Sequence, residues 1–312
     1  MMHSDTMTSN SHPGRGKAIP KLESQNVGGA ELPYLHYQGN GGKTVFCHAT
    51  GFLPWLWHPV IQELNFADAI WAPYICNYRE GDPHNGGLSW NDIARDLSSF
   101  CRACDIDQPL MIGHSMGATV SIITAASFDV KPRGMILIEP ILLPEEFYEL
   151  NIKVEDHPLA SKSIKRLNRW KNVDEATSYL HSRPLFSDWD KDVLDLYKNY
   201  GLEKMPEGDV QLACTPQSEA ALFMGGMSRN PWPLLSAIEC PTLVIEGGKS
   251  PNIGLVDIQR AVSLLQRGKY AVVPEAGHLI PMQKPSEIAA LINGFVKEIA
   301  AKEDHTDHDD HP

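Results

Sequence analysis

The sequence predicts an α/β fold, a mostly parallel sheet covered by helices on both faces. Three observations carry that expectation. Short apolar runs alternate with helical stretches from residue 31 to 142 and again from 237 to 301. Between those blocks, residues 143–236 are charged and aromatic, helical in pattern and without a clear buried strand, as an inserted cap would be. Finally, Gly113-His114-Ser115-Met116-Gly117 joins the apolar run 109–112 to the small-residue stretch 118–126, which reads as strand, sharp turn and helix.

Residues 1–26, with their Ser, Asn, Gly and Pro, read as a flexible leader. Residues 31–37 alternate in part and stop at Gly39-Asn40-Gly41-Gly42, a strand and a turn. Residues 44–47 form a buried strand that opens into His48-Ala49-Thr50-Gly51-Phe52. A short helix follows near 59–64, then a strand over 70–76 that ends in the polar loop 77–82. Residues 90–104 carry the spacing of an amphipathic helix. After the elbow and its helix, 134–138 is a strand closed by Glu139-Pro140. Beyond the cap at 143–236, strands at 241–245 and 270–273 alternate with helices at 256–266 and 285–300. The core is thus expected over 27–142 and 237–301. The tail 302–312, where aspartates interleave with His305, His308 and His311, reads as a disordered solubilising end rather than a metal site.

Composition narrows the function. A chain of 312 residues with 42% hydrophobic content suits one large α/β domain with a substantial insertion. A formal net charge of −12 argues against nucleic acid or an anionic membrane as partner. No apolar run reaches the roughly 18 residues of a membrane span, and the N-terminus has no apolar secretory core. A cytoplasmic protein, monomeric or homodimeric, acting on a small molecule is the expectation. The six cysteines are scattered. Cys101 and Cys104 have metal or redox spacing, but no second pair accompanies them, so they are expected to pack on their helix. No metal and no organic cofactor is expected.

The chemistry starts at Ser115. A serine between two glycines at a strand-to-helix turn is a nucleophile elbow, with the helix N-terminus favouring negative charge beside the hydroxyl. Serine needs a base within hydrogen-bond reach. His278, in Glu275-Ala276-Gly277-His278-Leu279-Ile280-Pro281, is the histidine that follows the last strand.

On His48-Ala49-Thr50-Gly51-Phe52, Gly113 to Gly117 and Gly277-His278, in that order, the chain resembles a cap-bearing α/β-hydrolase over residues 28–142 and 237–300. The resemblance implies an eight-stranded, mostly parallel sheet with a helical cap. It also implies the chain order serine, acid, histidine, with His278 as general base. The family's usual acid lies in a Gly-x-x-Asp turn after the strand at 241–245. Here that turn reads Gly247-Gly248-Lys249-Ser250 and has no carboxylate. The family's second location, the end of the strand after the elbow helix, holds Glu139. A carboxylate there is costly to bury unpaired, and a hydrogen bond to His278 would resolve the cost. Glu139 is therefore expected to be the acid, with Asp257 as fallback. The family's oxyanion hole implies backbone donors at Met116, after the nucleophile, and at Thr50, in the run where Ala49 replaces the usual glycine. His48 is expected to be a structural hydrogen-bonder.

Trp55 and Trp57 follow that loop, Leu279 follows His278, and further aromatic residues fall in the cap. Together they suggest an apolar pocket for an uncharged substrate. The expected activity is hydrolysis of a carboxylic ester of a small to medium hydrophobic substrate through an acyl-enzyme. The alternatives are a C–C bond hydrolase or lyase using the same triad, and a ligand receptor on a hydrolase fold. Ser115 in place of an aspartate nucleophile disfavours epoxide hydrolysis and dehalogenation.

Overall fold

The computed structural model describes residues 16–306. The chain runs β1 (Leu22–Asn26), β2 (Glu31–Tyr37), β3 (Lys43–Cys47), α1 (His58–Gln62), β4 (Ala69–Pro73), α2 (Trp90–Ala103), β5 (Leu110–His114), α3 (Met116–Ser127) and β6 (Gly134–Ile138). It continues with α4 (Ala160–Ser163), β7 (Arg169–Trp170), α5 (Val173–His181), α6 (Lys191–Tyr200), β8 (Leu202–Lys204), β9 (Val210–Leu212) and α7 (Pro216–Gly225). It closes with β10 (Thr242–Gly247), α8 (Ile258–Leu264), β11 (Gly268–Val273), α9 (Ile280–Gln283) and α10 (Pro285–Thr306).

Among the described residues, eight strands form one sheet in the order β1-β2-β4-β3-β5-β6-β10-β11. β2 pairs antiparallel with both of its neighbours, and the remaining pairs are parallel. β5 and β6 lie at the centre and are buried at every position, which is why they read as continuous apolar runs. Register aligns their ends: Cys47 pairs with Gly113, His114 with Ile138, and Ile138 with Ile245. The loops after β3, β5, β6 and β10 therefore leave the sheet side by side at its carboxyl edge, where open α/β sheets place their ligands. α2 starts at Ser89, whose hydroxyl accepts the Asn91 N–H at 3.2 Å. It buries Trp90, Ile93, Ala94, Leu97, Phe100 and Cys101 along one face. Cys101 is buried and Cys104 half-buried, and both are free thiols.

Three expectations need correction. Residues 22–26, read as the end of a leader, form β1, an exposed edge strand paired with β2 through its backbone. The last helix passes its expected end at residue 300 and continues to Thr306, into the stretch read as a tail. The segment 143–236 is not purely helical, because β7, β9 and β8 make a small antiparallel sheet within it. The leader's residues 1–15 and the tail beyond 306 lie outside the described residues. No described helix is long and apolar enough to cross a membrane.

The insert packs on the loops at the carboxyl edge. Trp55 stacks on Tyr200 of α6 at 4.8 Å between ring centres, and Phe52 meets Trp189 at 5.5 Å. Trp90 Nε1 donates to the Leu222 carbonyl at 2.7 Å, and the Asp190 N–H to the Met282 carbonyl at 2.8 Å. At the opposite edge, buried Asp68 accepts the Thr44 hydroxyl at 2.6 Å and the Arg133 guanidinium at 2.5 Å, clamping the starts of β3 and β4 to the approach of β6. Asp68→Ala is expected to lower stability by about 2 kcal/mol, by stranding a partly buried guanidinium and a buried hydroxyl. The measurement is urea denaturation of both proteins at one pH.

Candidate active site

Ser115 is the hinge between β5 and α3. Its φ of 56° and ψ of −119° lie outside the regions open to most side chains, a strain of about 1–3 kcal/mol that the surroundings must hold. They do so from both sides. The Ser115 N–H donates to the Ile138 carbonyl at 2.9 Å, and its own carbonyl accepts the N–H groups of Ala118 and Thr119 at 3.1 and 3.2 Å. The flanking glycines permit the closeness this needs. A Cβ on Gly113 would stand 2.5 Å from the Ala118 Cα, and one on Gly117 would stand 2.3 Å from the Cys47 carbonyl oxygen.

The structure brings Ser115, His278 and Glu139 together across 163 and 139 residues of chain. His278 Nε2 lies 3.0 Å from Ser115 Oγ, and His278 Nδ1 lies 2.9 Å from Glu139 Oε2. With the proton on Nδ1 donated to the carboxylate, Nε2 is left as acceptor for the serine O–H. Glu139 is only 2% exposed and, like Ser115, has a positive φ, 49°. Its N–H donates to the Ile245 carbonyl at 2.8 Å, which fixes where the side chain leaves the strand end. Its Oε1 accepts the Gly247 N–H at 2.7 Å, and its Oε2 accepts the Ser250 hydroxyl at 2.7 Å. Asp257, the fallback acid, is instead the N-cap of α8, where it accepts the Arg260 N–H at 2.9 Å. It is not in the cluster.

Thr50 lies in the loop that follows β3, and Met116 is the first residue of α3. Among the described residues, no hydrogen-bond acceptor engages either N–H. The His48 and Cys47 carbonyls lie directly against the start of α3 at Gly117, so the two donor segments are packed on one another. His48 is buried and braces the loop: its Nδ1–H donates to the Ala49 carbonyl at 2.8 Å, while Nε2 accepts the Ile75 N–H at 2.9 Å. Of the expected substrate contacts, Trp55 lies between Tyr74 of the core and Tyr200 of the insert, and Leu279 leads from His278 into α9. Trp57 is corrected. It is 2% exposed and packs on Phe46 at 5.0 Å, inside the hydrophobic core.

Sequence reasoning missed three participants. His114, next to Ser115, points away from it as adjacent elbow side chains must, yet its Nε2–H donates to the His278 backbone carbonyl at 2.8 Å. It thereby holds the loop that carries the imidazole. Ser250 and Asn252 both reach the Glu139–His278 pair. The missing carboxylate in the 247–250 turn was the signal for Ser250; nothing local signalled His114.

A model of the alpha/beta hydrolase family matches residues 44–291. The abhydrolase domain-containing protein ACTT2-1 of Alternaria alternata is 25% identical over 233 residues, covering 61% of this chain and 84% of its own length. The 2-(acetamidomethylene)succinate hydrolase of Mesorhizobium japonicum is 21% identical over 261 residues, covering 83% and 89%. Among solved structures, E-2-(acetamidomethylene)succinate hydrolase matches with a TM-score of 0.74 at 18% identity, over 89% of this chain and 100% of that one. A thioesterase domain from the curacin biosynthetic pathway matches with a TM-score of 0.68 at 19% identity, over 88% and 99%. At such identities the structural matches establish a shared fold.

Two outcomes test this geometry. Burial holds the His48 imidazole down to about 4, and burial, with His278 nearby, holds His114 down to about 3, from the usual 6.5. Below pH 6.5 the unfolded chain gains protons on both residues that the native protein refuses. The contribution of these two imidazoles to stability is therefore complete above pH 6.5 and declines as pH falls toward 4, by up to about 1.4 kcal/mol per pH unit for each. Thermal unfolding at pH 7 and pH 5 reads the decline, and His48→Gln should make it shallower. His114→Ala, by freeing the His278 carbonyl, is expected to lower activity about 10-fold or more while Ser115 stays in place.

Proposed function

The chain belongs to the alpha/beta hydrolase family, and on that footing we propose that it is a serine hydrolase acting on a carboxylic ester of a small to medium hydrophobic substrate through an acyl-enzyme. One observation carries the reading: the unbroken line from Ser115 Oγ through His278 to Glu139, at 3.0 and 2.9 Å, inside the carboxyl edge of the sheet. A serine, an imidazole and a buried carboxylate in that order activate a hydroxyl as nucleophile.

In the proposed cycle His278 Nε2 takes the Ser115 proton as Oγ attacks the ester carbonyl. The N–H groups of Thr50 and Met116 hold the resulting oxyanion, and each such donor typically lowers the barrier by about 3 kcal/mol. Glu139 stabilises the imidazolium and keeps its proton on Nδ1. His278 then gives the proton to the leaving alcohol. Water, deprotonated by the same nitrogen, attacks the acyl-enzyme; the acyl–Oγ bond breaks, Oγ takes the proton back from Nε2, and the acid leaves. The chemistry is complete with these side chains and water. The insert acts as the cap. Its Trp189, Tyr197 and Tyr200 meet Phe52 and Trp55 beside the oxyanion loop, an aromatic surround that favours an uncharged, apolar substrate.

Turnover of a short p-nitrophenyl ester, with fluorophosphonate labelling and peptide mapping, tests the proposal. Ser115→Ala should abolish labelling and lower kcat by about 10⁴-fold or more, and Glu139→Gln should lower kcat by about 10⁴-fold. Asp257→Asn should leave both rates within about twofold, because its carboxylate acts only at a helix end. Unchanged turnover in Ser115→Ala would refute the assignment. Labelling at Ser115 with no ester turnover would instead favour the same triad acting on another bond.

A further inference from the structure

The mechanism needs Glu139 to be an anion, yet the carboxylate is 2% exposed and, among the described residues, no lysine or arginine side chain bonds to it. A buried carboxylate without a cationic partner is costly unless several donors replace its water. Apart from His278, two donors lie within 2.7 Å, the Gly247 N–H on Oε1 and the Ser250 hydroxyl on Oε2. They come from one turn. We propose that the turn 247–250 is a carboxylate cradle and that Ser250 is a positioning residue, whose O–H keeps Glu139 ionised and aimed at His278. The proposal rests on the triad reading above.

Four features make Ser250 suited to the role. It is 6% exposed, so water does not compete for its hydroxyl. Its Oγ accepts the Asn252 N–H at 3.2 Å, which turns its single proton toward Glu139. Its Oγ meets the same oxygen, Oε2, that receives the His278 Nδ1–H, so it sets the position of the atom that orients the imidazole. The turn itself is stapled on three sides: Ser250 N–H to the Gly247 carbonyl, Gly248 N–H to Val273 and Lys249 N–H to Ala276, each at 2.9 Å. Acid support and base loop therefore belong to one rigid unit. Asn252 Nδ2 is 3.4 Å from Oε2, too long to replace the serine hydroxyl.

The other titratable groups around the pair do not take over the task. The His114 ring centre is 5.3 Å from that of His278, but burial keeps it neutral. Lys249 is engaged by Glu275, and the Tyr270 hydroxyl donates to Glu246. Removing the Ser250 hydroxyl thus leaves the anion with one donor fewer and no cation to compensate. The Glu139–His278 pair then binds a proton more readily, and the serine stays unactivated up to a higher pH.

The test reads the rate at which a fluorophosphonate labels Ser115 between pH 4.5 and 9. In Ser250→Ala the acidic limb should move up by about 0.5–1 pH unit, and the plateau should fall about 3- to 30-fold. Ser250→Asp sets a like charge beside Glu139 and should move the limb further up than Ala does. The order wild type, Ala, Asp is the signature, since a residue that merely packs the turn would lower the plateau and leave the limb in place. An unmoved limb in Ser250→Ala, with its thermal midpoint within a few degrees of wild type, overturns the inference. Failure of the wild-type protein to label at Ser115 would instead overturn the triad reading beneath it.

Discussion

A carboxylate buried out of contact with bulk water, which must find its hydrogen-bond donors within the protein, is the constraint on which the site depends. Glu139 sits at the end of a fully buried strand, where a lone anion would be intolerable. Its charge is distributed over the Gly247 N–H, the Ser250 hydroxyl and the His278 imidazole, from the ends of β10 and β11. Satisfying that anion draws three chain segments to one point. The same hydrogen bond sets the His278 tautomer, and the tautomer decides whether Ser115 faces an acceptor.

Backbone strain plays the complementary part. Ser115 and Glu139, each the residue that directly follows a central strand, both have positive φ, 56° and 49°. Each is pinned by a hydrogen bond to the neighbouring strand, Ser115 to Ile138 and Glu139 to Ile245. The sheet thus supplies the rigidity that lets two unfavourable conformations persist and point their side chains out of its edge. Close approach of α3 to the loop after β3, possible because Gly117 has no Cβ, puts the expected oxyanion donors on the same platform.

The parts that escaped sequence reading share a physical cause. β1 is exposed at four of its five positions and is held by backbone pairing, so no apolar alternation announces it. The strands of the insert are two or three residues long, shorter than any period can register. Trp57 follows Trp55 by two positions in a short helical turn, and that turn sends one ring to Tyr200 and the other into the core against Phe46. Glu139 directly follows β6, whereas Asp257 lies ten residues beyond β10, at the start of α8. Which one meets the imidazole depends on the order β5-β6-β10, a non-local pairing.

What could be read from the residues was whatever one short segment carries alone: the elbow at 113–117, the buried parallel strands, the glycine before His278 and the unusual turn at 247–250. Each follows from local sterics or from apolar runs, which need no knowledge of the rest of the chain. The hold of His114 on the His278 carbonyl, the turn that cradles Glu139, and the faces of Trp55 and Trp57 became defined when distant segments packed. Those contacts span tens to more than a hundred residues. Their geometry is set by strand register and by buried polar groups seeking partners, neither of which is written in any one stretch of sequence.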